Sequence, residues 1–169
     1  MARADSISAL MAEQRNTGNS YRANTVFAAR MFVLLPTDAT AAERLLSLMP
    51  SNEEESIVWG NFGLAFCQQE SDSDMTTLAK LGAQLPSLLA LAVVLRPAEM
   101  PRYVKYAFLA VGDPDNDHSV QMERVCRMKR QDFLRAVRKL DPDERKRFDA
   151  HIFDVNKCKA IHLPESDDE

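Results

Sequence analysis

Apolar residues recur along most of this chain at spacings of three and four, the rhythm of an amphipathic helix. Proline or a capping pattern separates one such stretch from the next. Ile7, Leu10 and Met11 follow Asp5 and Ser6, either of which can cap, and predict a first helix over residues 5–15. As a terminal element it is expected to be loosely held. Residues 17–24 read as a polar loop. Residues 25–35 are apolar except for Arg30 and are closed by Pro36; their alanine-rich middle favours helix over buried strand. Thr40-x-x-Glu43 and Ser51-x-x-Glu54 are two capping boxes. The first predicts a helix carrying Leu45, Leu48 and Met49 on one face. The second places Glu53, Glu54 and Glu55 where the positive end of a helix dipole favours them.

Two readings compete just beyond. Val58, Phe62 and Phe66 lie at helical spacing, yet Gly60-Asn61 between two apolar runs is also a two-residue hairpin turn. Helix is preferred; an α+β arrangement with a hairpin near 56–66 is the alternative. Residues 85–111 then hold the densest apolar stretch. Pro86 is expected in a first helical turn, residues 88–95 in a helix buried on every side, and Pro97 at its end. The run of 11 residues over 85–95 falls short of the ~20 that span a bilayer. A further helix over 100–111 carries Val104, Phe108 and Val111, with Gly112 closing it.

The last third is amphipathic and basic. Residues 119–130 present Met122, Val125 and Cys126 inward, and residues 132–140 present Phe133, Val137 and Leu140. Asp141-Pro142-Asp143-Glu144 joins an N-cap, a first-turn proline and a third-position glutamate, so a helix starts there, anchored by Phe148 and Ile152. From Asn156 onward the chain reads as an acidic tail. The pattern therefore predicts an all-α, single compact bundle of about seven to nine short helices around a buried helix near 86–95. It gives one domain over 1–155 and a C-terminal tail over 156–169.

Composition changes this picture little. An apolar fraction of 46% with 27% charged residues suits a globular chain. The three cysteines Cys67, Cys126 and Cys158 form no C-x-x-C pair, so reduced thiols in a cytoplasmic or nuclear protein are expected. The N-terminus lacks the continuous apolar core of a signal peptide.

Charge changes it more. Residues 1–101 carry 7 basic and 11 acidic side chains, residues 102–169 carry 14 of each, and residues 124–147 alone hold ten basic against four acidic. Arg124, Arg127 and Arg130 form one stripe, Arg135, Arg138 and Lys139 a second, and Arg145, Lys146 and Arg147 crown the next helix. Such a surface suits phosphate groups or an acidic protein surface; the plain alternative is a solvated helical face.

Other candidate chemistry is thinner. Asp113, Asp115 and Asp117 alternate as a calcium loop begins, but His118 stands where a turn glycine belongs and Arg124 where a bidentate glutamate belongs. The stretch reads as a turn, and no metal or cofactor is expected. His118, His151 and His162 lack ligand spacing, and no nucleophile or phosphate-loop motif occurs. ESDSD at 70–74 and ESDDE at 165–169 read as solubilising segments, or as contexts for acidophilic kinases.

The leading expectation is a non-enzymatic interaction and assembly protein, self-associating as a homo-oligomer or docking a protein partner. It would use an acidic N-terminal half and a basic C-terminal helical surface. A small RNA-binding, nucleocapsid-like or coat-like protein using residues 124–147 is the alternative, and an enzyme with an unrecognised site the second. No membrane partner is expected.

Overall fold

Asp38 and not Thr40 caps the third helix: its carboxylate accepts from the Ala41 amide at 2.7 Å. Both residues carry a capping oxygen, and the earlier one wins because the chain turns directly after Pro36. The computed structural model in which this is seen describes residues 2–16, 20–60, 72–110 and 118–161. Among the described residues the chain is all-α apart from one small hairpin. Nine α-helices run among the described residues: α1 Ala2–Asn16, α2 Tyr21–Leu34, α3 Ala39–Ser47, α4 Glu53–Gly60, α5 Asp72–Leu95, α6 Met100–Ala110, α7 His118–Met128, α8 Arg130–Val137 and α9 Pro142–Arg147. A 3₁₀ turn, Pro97–Glu99, leads into α6, and a π turn, Phe148–Ile152, continues α9. Strands β1, Phe153–Asp154, and β2, Lys159–Ala160, pair antiparallel with Phe153 opposite Ala160.

Several local expectations shift register. α2 begins at Tyr21, capped by the Ser20 hydroxyl, so part of the polar stretch 17–24 is helical. α4 is capped one residue late: Asn52 accepts from the Glu55 amide at 2.9 Å, while the Glu55 carboxylate accepts from the Ser51 amide and hydroxyl. Those donors hold the Glu55 carboxyl below its ordinary pKa, the Ser51 amide contributing most. Residues 56–60 are helical, which removes the near half of the alternative hairpin. Phe62, Phe66, Val111, Gly112 and the segments 113–117 and 165–169 lie outside the described residues.

Pro86 sits inside α5 rather than at its start. A proline there removes one i→i−4 hydrogen bond and costs about 3 kcal/mol in isolation. Burial offsets it, since Leu81, Leu85 and Leu89 recur every four residues on the inner face, followed by Ala92 and Val93. The helix is not covered all round as its sequence suggests, for Leu91 is 41% exposed. α5 packs against α2, α3 and α7 and is the element about which the others gather. Among the described residues no single helix is long and apolar enough to cross a membrane.

One core runs through these helices and into the hairpin, where Phe153, Cys158 and Ala160 are buried. Phe108, Phe133, Phe148 and Phe153 form its aromatic end, with ring centroids 5.2 to 6.5 Å apart. The sequence boundary at 155 therefore cuts through folded structure: residues 156–160 belong to the body of the protein. Cys126 and Cys158 are joined by a disulfide across a separation of 32 residues, their Cα atoms 5.6 Å apart. The expectation of reduced thiols fails at these two positions, because the return of the hairpin onto α7 is not visible in cysteine spacing.

Candidate interaction surfaces

Nine basic side chains mark the predicted surface, and the fold divides them. On α7 the buried residues are His118, Gln121, Met122, Val125 and Cys126, so the opposite face carries Val120, Arg124 and Arg127, with Met128 at its edge. Arg127 pairs with Glu123 at 2.9 Å, one turn away, and Arg124 donates to the Gln121 side chain at 3.4 Å. Arg130 starts α8 and reaches the hairpin, donating to Cys158 Sγ and to the Asn156 carbonyl, both at 3.1 Å. Arg135 pairs with Asp132 at 3.2 Å. The Arg147 guanidinium lies 5.5 Å from the centre of the Phe108 ring, a cation–π contact.

Five of the nine thus have a partner within the fold. The remaining four, Arg138, Lys139, Arg145 and Lys146, sit where α8 turns into α9, exposed and without an ion pair among the described residues. The turn between them is fixed by the capping box foreseen from the sequence. Asp141 accepts from the Glu144 amide at 2.8 Å, and the Glu144 carboxylate accepts from the Asp141 amide at 3.2 Å. The hydrogen bond donated by the Glu144 amide lowers the Asp141 pKa. Glu144 also meets Lys105 of α6 at 3.1 Å, which docks the start of α9.

The acidic counterpart lies on α4. Trp59 is its buried anchor, and the opposite face shows Glu53, Glu54 and Ile57 to solvent, Ile57 at 55% exposure. Neither glutamate makes an ion pair among the described residues.

Beneath α4, α6 and α7 lies an aromatic cluster. Tyr106 meets Trp59 at 6.0 Å and His118 at 4.9 Å between ring centres, and Tyr103 lies 5.0 Å from His118. Burial pushes the Tyr106 hydroxyl up to about 12 and raises Tyr103 further, while it lowers His118 to about 4, so the imidazole is neutral at pH 7. Tyr21 of α2 closes the neighbouring corner, its hydroxyl donating to the Leu48 carbonyl at 2.6 Å. Its pKa rises to about 12, chiefly through burial and then through the Glu55 charge. Tyrosines held protonated and a neutral histidine among aromatic rings make this a packing junction between α4 and α7.

The sequence reading missed the hairpin that Glu123 holds. One Glu123 oxygen accepts from the Ala160 amide at 3.0 Å while the other accepts from Arg127. The signal available was Asp154-x-Asn156-Lys157, since Asp154 accepts from both following amides in an Asx turn. Among the described residues no group of three or more His, Cys, Asp or Glu side chains is placed to hold a metal ion. No family model, no curated protein and no solved structure matches the chain.

Proposed function

We propose that this chain is a non-enzymatic interaction and assembly protein that docks acidic surface onto basic surface, between its own copies or with a protein partner. One observation carries the reading: two sets of its carboxylates and cations face solvent on separate elements and do not pair with each other among the described residues. Glu53 and Glu54 stand on α4, and Arg138, Lys139, Arg145 and Lys146 on the α8–α9 corner, all without an ion pair among the described residues. Opposite charges displayed apart on one chain favour heterologous, head-to-tail contacts between copies. Sedimentation of the full chain over a wide concentration range at low salt tests this. Association that weakens as salt rises is expected, and a strict monomer throughout overturns self-docking.

A second reading rests on the α8–α9 corner alone. Four exposed cations without an ion pair among the described residues suit a phosphate backbone, and RNA is the macromolecule such a corner would meet. If all four contact phosphates of a single strand, log affinity falls against log salt with a slope of about −3. Absent binding, or binding insensitive to salt, removes this reading. Cytoplasmic or nuclear placement rested only in part on reduced thiols, and the Cys126–Cys158 bond takes that part of its support away.

A further inference from the structure

The two basic surfaces differ in a respect their charge conceals. At the α8–α9 corner the exposed cations stand beside the exposed carboxylates Asp141 and Asp143 and have no large exposed apolar neighbour among the described residues, whereas on α7 the arginines are bracketed by apolar side chains. Val120 precedes Arg124 by one helical turn and Met128 follows it by one turn, Met128 at 66% exposure. No other large apolar side chain is so exposed among the described residues. The acidic face of α4 has the same construction with the sign reversed, for Ile57 follows Glu53 by one turn and projects on the side away from Trp59. A turn is about 6 Å along the axis for four residues. If Glu53 meets Arg124, Ile57 therefore falls opposite Val120 when the helices run antiparallel and opposite Met128 when they run parallel.

From this match the geometry points to a specific contact: α4 of one copy docks on the outer face of α7 of a second copy. Ile57 packs against Val120 or Met128, and Glu53 and Glu54 pair with Arg124 and Arg127. The inference rests on the assembly reading above and narrows it. It selects α7 over the α8–α9 corner as the docking face, because only α7 offers apolar surface to remove from water as well as charge to match. The occupant is a second copy because the complementary face is present on this same chain and is exposed among the described residues. The arginines are also held ready: the Glu123 pairing and the Gln121 contact limit the conformers Arg127 and Arg124 can adopt before docking.

The test is a charge swap in the full chain, read by sedimentation equilibrium at low salt. Arg124→Glu with Arg127→Glu, and separately Glu53→Lys with Glu54→Lys, should each weaken self-association by at least about tenfold, the scale of close charge pairs at interfaces. Mixing the two reversed chains should restore it. Lysines are disfavoured in the first turn of a helix, so Ile57→Ser serves as a second variant that leaves α4 its charges; it too should weaken association. Circular dichroism establishes that each chain is folded. If the parent chain associates but these variants do so equally well, while Arg138→Glu with Lys139→Glu abolishes it, the α4–α7 contact is overturned and the broader assembly reading stands. A parent chain that stays monomeric overturns both.

Discussion

At the N-terminal end α1 is tied to α2 mainly by polar groups, whereas the C-terminal hairpin is tied to α7 and α8 by aromatic rings and a covalent bond. Arg3 donates to the Leu34 carbonyl, Glu13 pairs with Arg30 at 2.7 Å, and Gln14 donates to Asn24 at 2.9 Å. Leu10 is the one fully buried side chain described on α1, and Met11, expected inside with it, is exposed. The hairpin is two residues per strand, far below what stands alone in water. Yet Phe153 is fully buried against Phe133 and Phe148, and Cys158 is bonded to α7. The regularity of a terminal element thus says little about how firmly it is held. The fifteen-residue helix is expected to be the weaker attachment and the four-residue ladder the stronger.

The comparison breaks most directly at Phe153. Phe153→Ala removes a ring from the aromatic end of the core and should cost about 3–5 kcal/mol, read as a fall in the urea midpoint. A loss below about 1 kcal/mol would show that the hairpin is held by the disulfide and not by packing.

Acid should also discriminate between the ends. Folding lowers the His118 pKa from 6.5 to about 4 through burial at the start of α7. Between those values the unfolded chain binds a proton that the folded chain refuses. This contribution to stability is therefore complete above about pH 6.5, declines as the pH falls, and is fully lost below about 4, a total of about 3 kcal/mol. Urea midpoints at pH 7, 5.5 and 4 measure it. His118→Phe should remove that part of the pH dependence; an unchanged slope would assign it to other groups.

The smallest effect is expected at α1. Glu13→Ala breaks an ion pair whose partners are each more than a third exposed, so it should cost no more than about 1 kcal/mol and the difference should vanish in high salt. A larger loss would mean that α1 is locked by more than polar contacts.

Much of the fold was legible because its signals are local. The box at Asp141 to Glu144 appears as read, and the residues that periodicity selected on α7 and α8 are buried, joined there by His118, Gln121 and Ala136. Pro86 was misplaced because a propensity rule cannot see the burial of Leu81, Leu85 and Leu89 that carries α5 past it. The basic residues were found by composition, but their division was not. Spacing allowed the Glu123–Arg127 and Asp132–Arg135 pairs, whereas Arg130 on the hairpin and Arg147 on Phe108 depend on chain returns over long separations. The exposed apolar residues beside Arg124 were likewise invisible, since Met128 reads from sequence as one more candidate for the core.

The Cys126–Cys158 bond turns α8, α9 and the cation-bearing corner between them into a closed ring of main chain. A protease that cuts once anywhere between residues 127 and 157 opens that ring without releasing a fragment. On a denaturing gel the nicked protein would run as one band until a thiol is added and as two bands afterwards. The cation-bearing corner can be severed in sequence and still remain attached to the body that presents it.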